Sequence, residues 1–289
     1  MKRCMSTKCS KRVYPLCDSY NTLRHIHFPG TTPFSKGQDI QNTIVNANLD
    51  FKNIESKIRK RKLELDSQGL PMSSYEKDLL QKILNMRPLP MLLTFEFENV
   101  YTGGKKIKKQ SHEENIRKAQ ALNCKFFQLE RGGEVTWHGQ GQLVAYLVLD
   151  LKQFHDLSLR CFVDAILLQG VRNILGNKYG LETFENKNPG VWMTQGDDKI
   201  ASVGCNIQRS ITSYGIALNV SPDLRYLNTY TMCGLPTKAT SVAALVPGSN
   251  FTVRDAALEY AKEITQLLGI ANLEHVFSDD NAFTSYFEH

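Results

Sequence analysis

The sequence has no apolar run of the roughly 18 residues that a membrane span needs. Its seven cysteines form no CxxC pair and no other metal-type spacing. No GK[ST] follows any of its glycine-rich loops, so a Walker phosphate site is excluded. No internal repeat runs through it, which excludes solenoids and propellers. Across the first 36 residues acids are almost missing, with Asp18 alone among many lysines and arginines. A chain of 289 residues that is 42% apolar has enough material for a full core without disulfides.

The acid-poor start, MKRCMSTKCSKRVYPLCDSYNTLRHIHFPG, is basic and rich in Ser and Thr, and it lacks the apolar core of a secretory signal. That is the composition of an organellar transit peptide, with the mitochondrial matrix as destination. A disordered basic tail is the alternative. Residues 1–36 are therefore set apart from the fold. Net charge is +6, and removal of this segment leaves a remainder close to neutral. A nucleic-acid-binding protein would carry its charge on the folded domain. Residues 37–73 are mostly polar and read as an arm or linker, within which FKNIESKIRKRKLELDSQ forms a charged helix stopped at Gly69-Leu70-Pro71.

Residues 74–289 hold the folded domain. Ser73 or Ser74 caps YEKDLLQKILN, a helix with Leu79, Leu80, Ile83 and Leu84 on one face. MLLTFEF is a short buried strand and NVYTGGKK a turn. A helix from His112 and the strand KFFQLE follow. QLVAYLVLDL, apolar on both faces, belongs in the centre of a sheet. Ser158 caps the long helix LRCFVDAILLQGVRNIL. Three short strands come next: GVWMT from Gly190, KIASVGCNIQ from Lys199 and YGIALNV from Tyr214. FTVRDAALEYAKEITQLLG is a last helix with a glycine stop. Interleaved strands and helices predict one α/β domain around a mixed β-sheet flanked by helices, its elements ending near residue 270.

One stretch fits none of these elements. RGGEVTWHGQGQ, Arg131 to Gln142, packs four glycines into twelve residues between two strands. It opens no helix, so it is no dinucleotide fingerprint. It is either a tight hairpin loop or a place where a ligand meets the backbone. His138 within it is a base, a metal ligand or a core histidine, and no second ligand stands at a metal spacing. Lys199 opens an apolar strand after the polar turn QGDD; an exposed edge lysine is the simple alternative to a functional one. Three cysteines, Cys4, Cys9 and Cys17, lie in the leader. Of the other four, Cys124 and Cys161 fall in helix patterns and Cys205 in a strand, whereas Cys233 lies in the turn-rich NTYTMCGLPTKATS. A loop cysteine followed by glycine can reach a ligand.

Taken together, YTGGKK from Tyr101, RGGEVTWHGQGQ, KIASVG from Lys199, YGIALNV and MCG resemble, in order, the motifs of the lipoyl(octanoyl) transferase family, also called lipoate-protein ligase B. The resemblance covers about residues 75–245. Gln140 stands where that family usually has proline, and Tyr214 where it usually has histidine. The resemblance implies a biotin/lipoate ligase-like fold and transfer of an octanoyl group from octanoyl-acyl carrier protein to a lysine of lipoyl domains. The acceptors it implies are the lipoyl domains of 2-oxoacid dehydrogenase complexes and the glycine cleavage H protein. It implies no cofactor, no metal, no nucleic acid and no membrane. It assigns Cys233 and Lys199 as catalytic. It assigns substrate binding to Arg131, Gly132, Gly133, Glu134, Val135, Thr136, Trp137 and His138. Ser202, Val203 and Gly204, and then Gly215, Ile216 and Ala217, complete that set.

The chemistry follows from these residue types. A thioester is already activated, so ATP is not needed; a cysteine takes the acyl group and an amine then attacks it. A lysine ammonium stabilises the thiolate and, once neutral, takes the proton of the incoming amine. Loop glycines offer N–H donors to the oxyanion. Trp137 and Val135 supply apolar wall, and Arg131 orders the loop or meets the acidic carrier. An ATP-dependent lipoate or biotin ligase, or a lipoyl amidotransferase, of the same fold is the alternative enzyme.

Overall fold

Apolar runs too short for a helix become strands covered on both faces. A computed structural model describes residues 12–107, 112–184, 186–194, 198–229 and 238–277. Its strands are β1 Thr22–Thr32, β2 Met91–Phe97, β3 Val100–Gly103, β4 Lys125–Gln128, β5 Val135–His138, β6 Gln142–Val148, β7 Thr183–Phe184, β8 Val191–Met193, β9 Lys199–Gln208, β10 Ile211–Asn219 and β11 Asn272–Phe277. Eight of them form one sheet in the order β11-β1-β2-β6-β10-β9-β8-β7; β4-β3-β5 form a second, smaller one. β1 runs parallel to both β11 and β2, and the rest of the large sheet is antiparallel. The sheet is therefore mixed, as the sequence predicts.

Alternation along β6 divides the core. Leu143, Ala145 and Leu147 face a layer built by the 159–179 helix and the helix Val253–Leu267. Val144, Tyr146 and Val148 face the other way, toward Phe34 and Ile44 of helix α1, Phe34–Ser67. The 159–179 helix starts on the Ser158 cap and carries a π-helical stretch, Phe162–Leu168, in its middle. Thr252 and Asp255 form a reciprocal cap on the last helix, and Gly269 follows it in the left-handed region.

Several expectations need correction. Residues 22–32 are not dispensable to the fold: β1 lies between β11 and β2, with Leu23, Ile26 and Phe28 buried. Residues 34–67 are not a peripheral arm in their first half. Phe34, Gly37, Gln41, Ile44, Asn48 and Phe51 are buried at alternating spacings of three and four, one stripe of α1 laid on the sheet. Helix α2, Ser74–Asn85, has the expected Ser73 cap but buries none of its residues, and Leu79 is exposed. Part of the expected turn NVYTGGKK is strand β3, and VTWH is strand β5, paired antiparallel with β3. Cys124 lies in the turn between helix α3, His112–Ala121, and β4 rather than in a helix. The sheet also continues past residue 270, through β11.

Candidate active site

Loop 129–134 is ordered from within. Arg131 is buried, and its guanidinium donates to the carbonyls of Thr102, Gly132 and Glu134 and to Thr102 Oγ1, at 2.8–3.1 Å. Burial pulls its pKa down to about 10, still well above neutrality. Gly133 sits at φ +94°, a conformation open to glycine. The YTGGKK segment holds the loop from outside: Gly104, Lys105 and Lys106 N–H donate to Glu134, Arg131 and Gly133 carbonyls. Arg131 is thus a loop organiser, and its burial removes it from any encounter with a carrier protein.

The loop rests on β9. Gly132 N–H donates to the Cys205 carbonyl at 3.0 Å, so this glycine donor is spent on the fold and not on an oxyanion. Peptide groups along a strand alternate sides. Lys199 bonds outward to Lys238 and Thr240, Ala201 faces Val191 of β8, and Cys205 faces Gly132. Val203 shares their parity and lies past the end of β8. Its N–H and C=O therefore point off the same edge.

A cavity of about 450 Å³ lies there. Its walls include Arg131, Gly132, Gly133, Glu134, Val135, Thr136 and His138 of the glycine-rich stretch, Lys199, Ser202, Val203 and Gly204 of β9, and Gly215, Ile216 and Ala217 of β10. Trp137 is the exception. It lies on the opposite face of β5 from Thr136 and His138, stacks on Tyr226 at 5.4 Å between centroids, and lines a different depression. Val135 supplies apolar wall as expected, and Leu129, Val144, Tyr146, Leu159, Val163 and Tyr214 supply the rest in place of Trp137. Among these, Tyr146 is masked in sequence by its apolar strand, and Leu159 and Val163 by helix periodicity.

Lys199 is buried, 7% exposed, which overturns the edge-lysine alternative. Its Nζ donates to the Pro189 carbonyl at 3.2 Å and lies 4.6 Å from the centroid of the Trp192 ring. Gly190, at φ +144°, leaves room for it: a Cβ there would stand 2.7 Å from the Ala201 oxygen and 3.0 Å from Lys199 Cε. Lys199 also bridges to Ala239, so the chain returning from the segment that carries Cys233 passes beside it. Cys233 itself lies outside the described residues.

His138 ends a directed chain of hydrogen bonds. Asn219 Nδ2 donates to the Thr240 carbonyl, Gln142 Nε2 to Asn219 Oδ1, and His138 Nδ1 lies 2.8 Å from Gln142 Oε1. The terminal carbonyl only accepts, so every amide is oriented and the His138 proton sits on Nδ1. Burial depresses its pKa to about 4, with Arg131 adding to the effect. At neutral pH the ring is neutral, and with the proton on Nδ1 its Nε2 is an acceptor. Gln142 and Asn219 were not singled out in the sequence, because each is the polar end of an apolar strand.

Cys205 and Cys124 lack activation. Cys205 lines the cavity, but its enclosed thiol is pushed up to about 12 by burial, and burial also raises Cys124. Among the described residues no three His, Cys, Asp or Glu side chains converge as a metal set.

Comparison with known proteins places the chain in a family. The lipoyl protein ligase A/B catalytic domain model matches residues 71–265. Over 96% of this chain and 92% of the relative, the sequence is 41% identical to a protein named mitochondrial octanoyltransferase from Saccharomyces cerevisiae. It is 40% identical to the protein of the same name from Kluyveromyces lactis, across 96% of this chain and 89% of that one. Among solved structures, lipoate-protein ligase A bound with ATP superimposes with a TM-score of 0.52 at 14% identity, covering 68% of this chain and 79% of that chain. The bi-partite lipoate protein ligase of Thermoplasma acidophilum gives 0.52 at 13%, covering 91% of this chain and 90% of that chain. These two establish the lipoate-ligase fold. The chain belongs to the lipoyl protein ligase A/B catalytic domain family.

Proposed function

We infer that this protein is an octanoyltransferase of protein lipoylation, acting by a covalent route through Cys233. The observation that carries the reading is the convergence, on one cavity, of the glycine-rich loop, Lys199, and the bridge from Lys199 to Ala239 just beyond the Cys233 segment. The relatives at 40–41% identity are named octanoyltransferases, which favours this reading over an ATP-dependent ligase.

In the first half-reaction the Cys233 thiolate attacks the thioester carbonyl of octanoyl-acyl carrier protein. The C–S bond to the carrier breaks and the carrier thiol leaves with a proton from Lys199. In the second, the lysine amine of a lipoyl domain attacks the Cys233 thioester, neutral Lys199 takes its proton, and the acyl C–S bond breaks to release the Cys233 thiolate and restore the starting pair. The Pro189 carbonyl and the Trp192 ring hold the Lys199 Nζ on the β8 side of the cavity. The Val203 N–H, on the open edge of β9, is a peptide donor available to the acyl carbonyl in place of Gly132. Acceptors are the lipoyl domains of 2-oxoacid dehydrogenase complexes and the glycine cleavage H protein. The site of action is the mitochondrial matrix, in line with the names of the two yeast relatives.

The test is intact mass. Mixed with octanoyl-acyl carrier protein alone, without ATP, the protein gains one octanoyl group that hydroxylamine removes. Cys233→Ser abolishes both adduct and transfer, while Cys205→Ser retains them. An adduct mapped to Cys205, or normal turnover by Cys233→Ser, sinks the mechanism.

A further inference from the structure

The turn that joins β9 to β10 is built against the preference of its own residues. Gln208 pairs with Ile211, which leaves Arg209 and Ser210 as a two-residue loop. Both sit in the left-handed region, at φ +50° and +69°. A turn of that shape favours Asn-Gly, and an arginine there carries a conformational cost. Helix α1 holds the turn in place. Lys52 Nζ donates to the Arg209 carbonyl and to Ser210 Oγ, each at 2.7 Å, and the Arg209 guanidinium donates to Asn53 Oδ1 at 2.6 Å. Arg209 is therefore fixed by an element distant in sequence, at a position that local preference gives to smaller residues.

Arg209 lines a cleft of about 640 Å³ between α1, the turn Leu151–Gln153 and the β9–β10 turn. The two acids of that cleft, Asp150 and Glu55, are already paired. Asp150 meets Lys52 at 2.8 Å, and Glu55 meets Arg87. Three cations remain: Arg59 from α1, Lys152 from the turn after β6, and Arg209 from the hairpin. None of the three meets a carboxylate among the described residues. Like charges gathered at one cleft repel each other and concentrate anions from solution. The cleft stands at the opposite end of β9 from Lys199 and shares no lining residue with the acyl cavity.

We propose that this cleft is a second ligand site and that it takes a phosphate group carried by a larger molecule. The two guanidinium groups offer planar N–H pairs that match phosphate oxygens, and the Lys152 ammonium adds charge. Ser56, exposed on the α1 wall, supplies a hydroxyl donor. The volume exceeds what a bare phosphate fills and falls within the range of small-molecule sites. None of this rests on the acyl-transfer reading above.

The test is calorimetric titration of the full chain with inorganic pyrophosphate at constant ionic strength. Saturable binding of one anion per chain is expected. Arg59→Gln and Lys152→Gln alter exposed side chains and spare the hairpin. Each should weaken binding about tenfold, the usual worth of a charge-assisted hydrogen bond. Arg209→Lys keeps the charge, loses the planar fork and should weaken binding several-fold. Lys60→Gln, next to Arg59 but outside the cleft, should leave it unchanged. Vesicles of phosphatidic acid that displace pyrophosphate, where phosphatidylcholine vesicles do not, assign the phosphate to a lipid headgroup. Failure of both to displace it assigns a soluble ligand, and the site stands in either case. Absence of saturable heat overturns the proposal. Equal losses in Lys60→Gln and Arg59→Gln overturn it too, because the cleft is then only part of a diffuse positive field. Citrate bound as tightly as pyrophosphate removes the preference for phosphate, and binding that survives both Arg59→Gln and Lys152→Gln places the anion elsewhere.

Discussion

A buried lysine on a tryptophan face is a costly thing to build, and Lys199 has both its surroundings and its access arranged by neighbours. Gly190 leaves the space, Pro189 supplies the acceptor, and Trp192 faces the charge. Lys199→Met keeps the stem and loses the ammonium. Transfer should fall by two orders of magnitude or more, roughly the worth of a proton-transfer group. Stability should change little, because the apolar stem still packs. Alkylation of Cys233 should shift to higher pH as the thiolate loses its cation; an alkylation profile matching the unaltered protein would remove Lys199 from the mechanism. Gly190→Ala tests the same site from outside. Its Cβ would press on Lys199 Cε and on the Ala201 oxygen from a backbone that suits glycine, so activity and thermal stability should fall together. The glycine-rich loop is legible in the sequence because it stands apart from any apolar period, whereas Lys199 opens an apolar strand and is marked only by the family resemblance. It misplaced Trp137 because alternation within VTWH shows only once that stretch is known to be a strand. It overlooked Tyr214 as a wall because strand parity points it to the wrong face, and only a left-handed backbone turns it round.

Elements were legible where composition and period agree. β2 and β9 fall on the apolar runs read from the sequence, MLLTFEF and KIASVGCNIQ. β1 escaped because two of its buried residues are histidines in a basic neighbourhood. The buried stripe of α1 escaped because Gly37, Gln41 and Asn48 dilute its hydropathy. Both elements have testable energetics. Ile44→Ala and Phe51→Ala should each cost about 2–5 kcal/mol in urea unfolding, the usual range for truncation in a core; a loss under 1 kcal/mol would return α1 to the status of an arm. The histidines of β1 predict an acid limb. His25 Nδ1 lies 2.8 Å from His275 Nδ1 and its Nε2 lies 2.8 Å from Thr94 Oγ1, which also meets His27 Nδ1. Burial first, then His275 and His27, pull the His25 pKa down from 6.5 to about 3. A depressed histidine is neutral in the fold and protonates in the unfolded chain. Stability is therefore full above about pH 6.5 and declines as pH falls toward 3, by about 1.4 kcal/mol per pH unit for each such group. His138 adds to the decline between about 6.5 and 4. Urea midpoints at pH 7.5 and 5.5 measure it. His25→Gln should flatten the slope, and an unaltered slope would assign the acid limb elsewhere.

At the scale of the whole molecule, charge and fold overlap at the N-terminus in a way that limits how the chain can be processed. Seven lysines and arginines against Asp18 in the first 36 residues account for the net charge of +6, leaving 28 basic and 28 acidic residues beyond. Five of the seven, Lys2, Arg3, Lys8, Lys11 and Arg12, precede Val13. From Val13 onward the chain is committed to the fold. Val13 is 9% exposed, Tyr14 C=O accepts from His155 N–H, and Leu16 N–H donates to the Gln153 carbonyl. Tyr20 is fully buried and its hydroxyl accepts from Asp150 N–H at 3.0 Å. β1 then supplies the strand between β11 and β2. A cut near residue 36 would remove that strand and leave the edges of β2 and β11 and the apolar surface that packs on Leu23 and Ile26 uncovered, a large loss against the stability of about 5–15 kcal/mol typical of a domain. The proposed address and the fold therefore separate near residue 12. A reporter carrying residues 1–12 should enter mitochondria, and one carrying the same residues with the five basic side chains changed to Gln should stay in the cytosol. The protein recovered from the organelle should begin at or before Val13, as read by N-terminal mass. A mature start beyond Thr22 in active protein would show that β1 is dispensable and that the leader does reach residue 36.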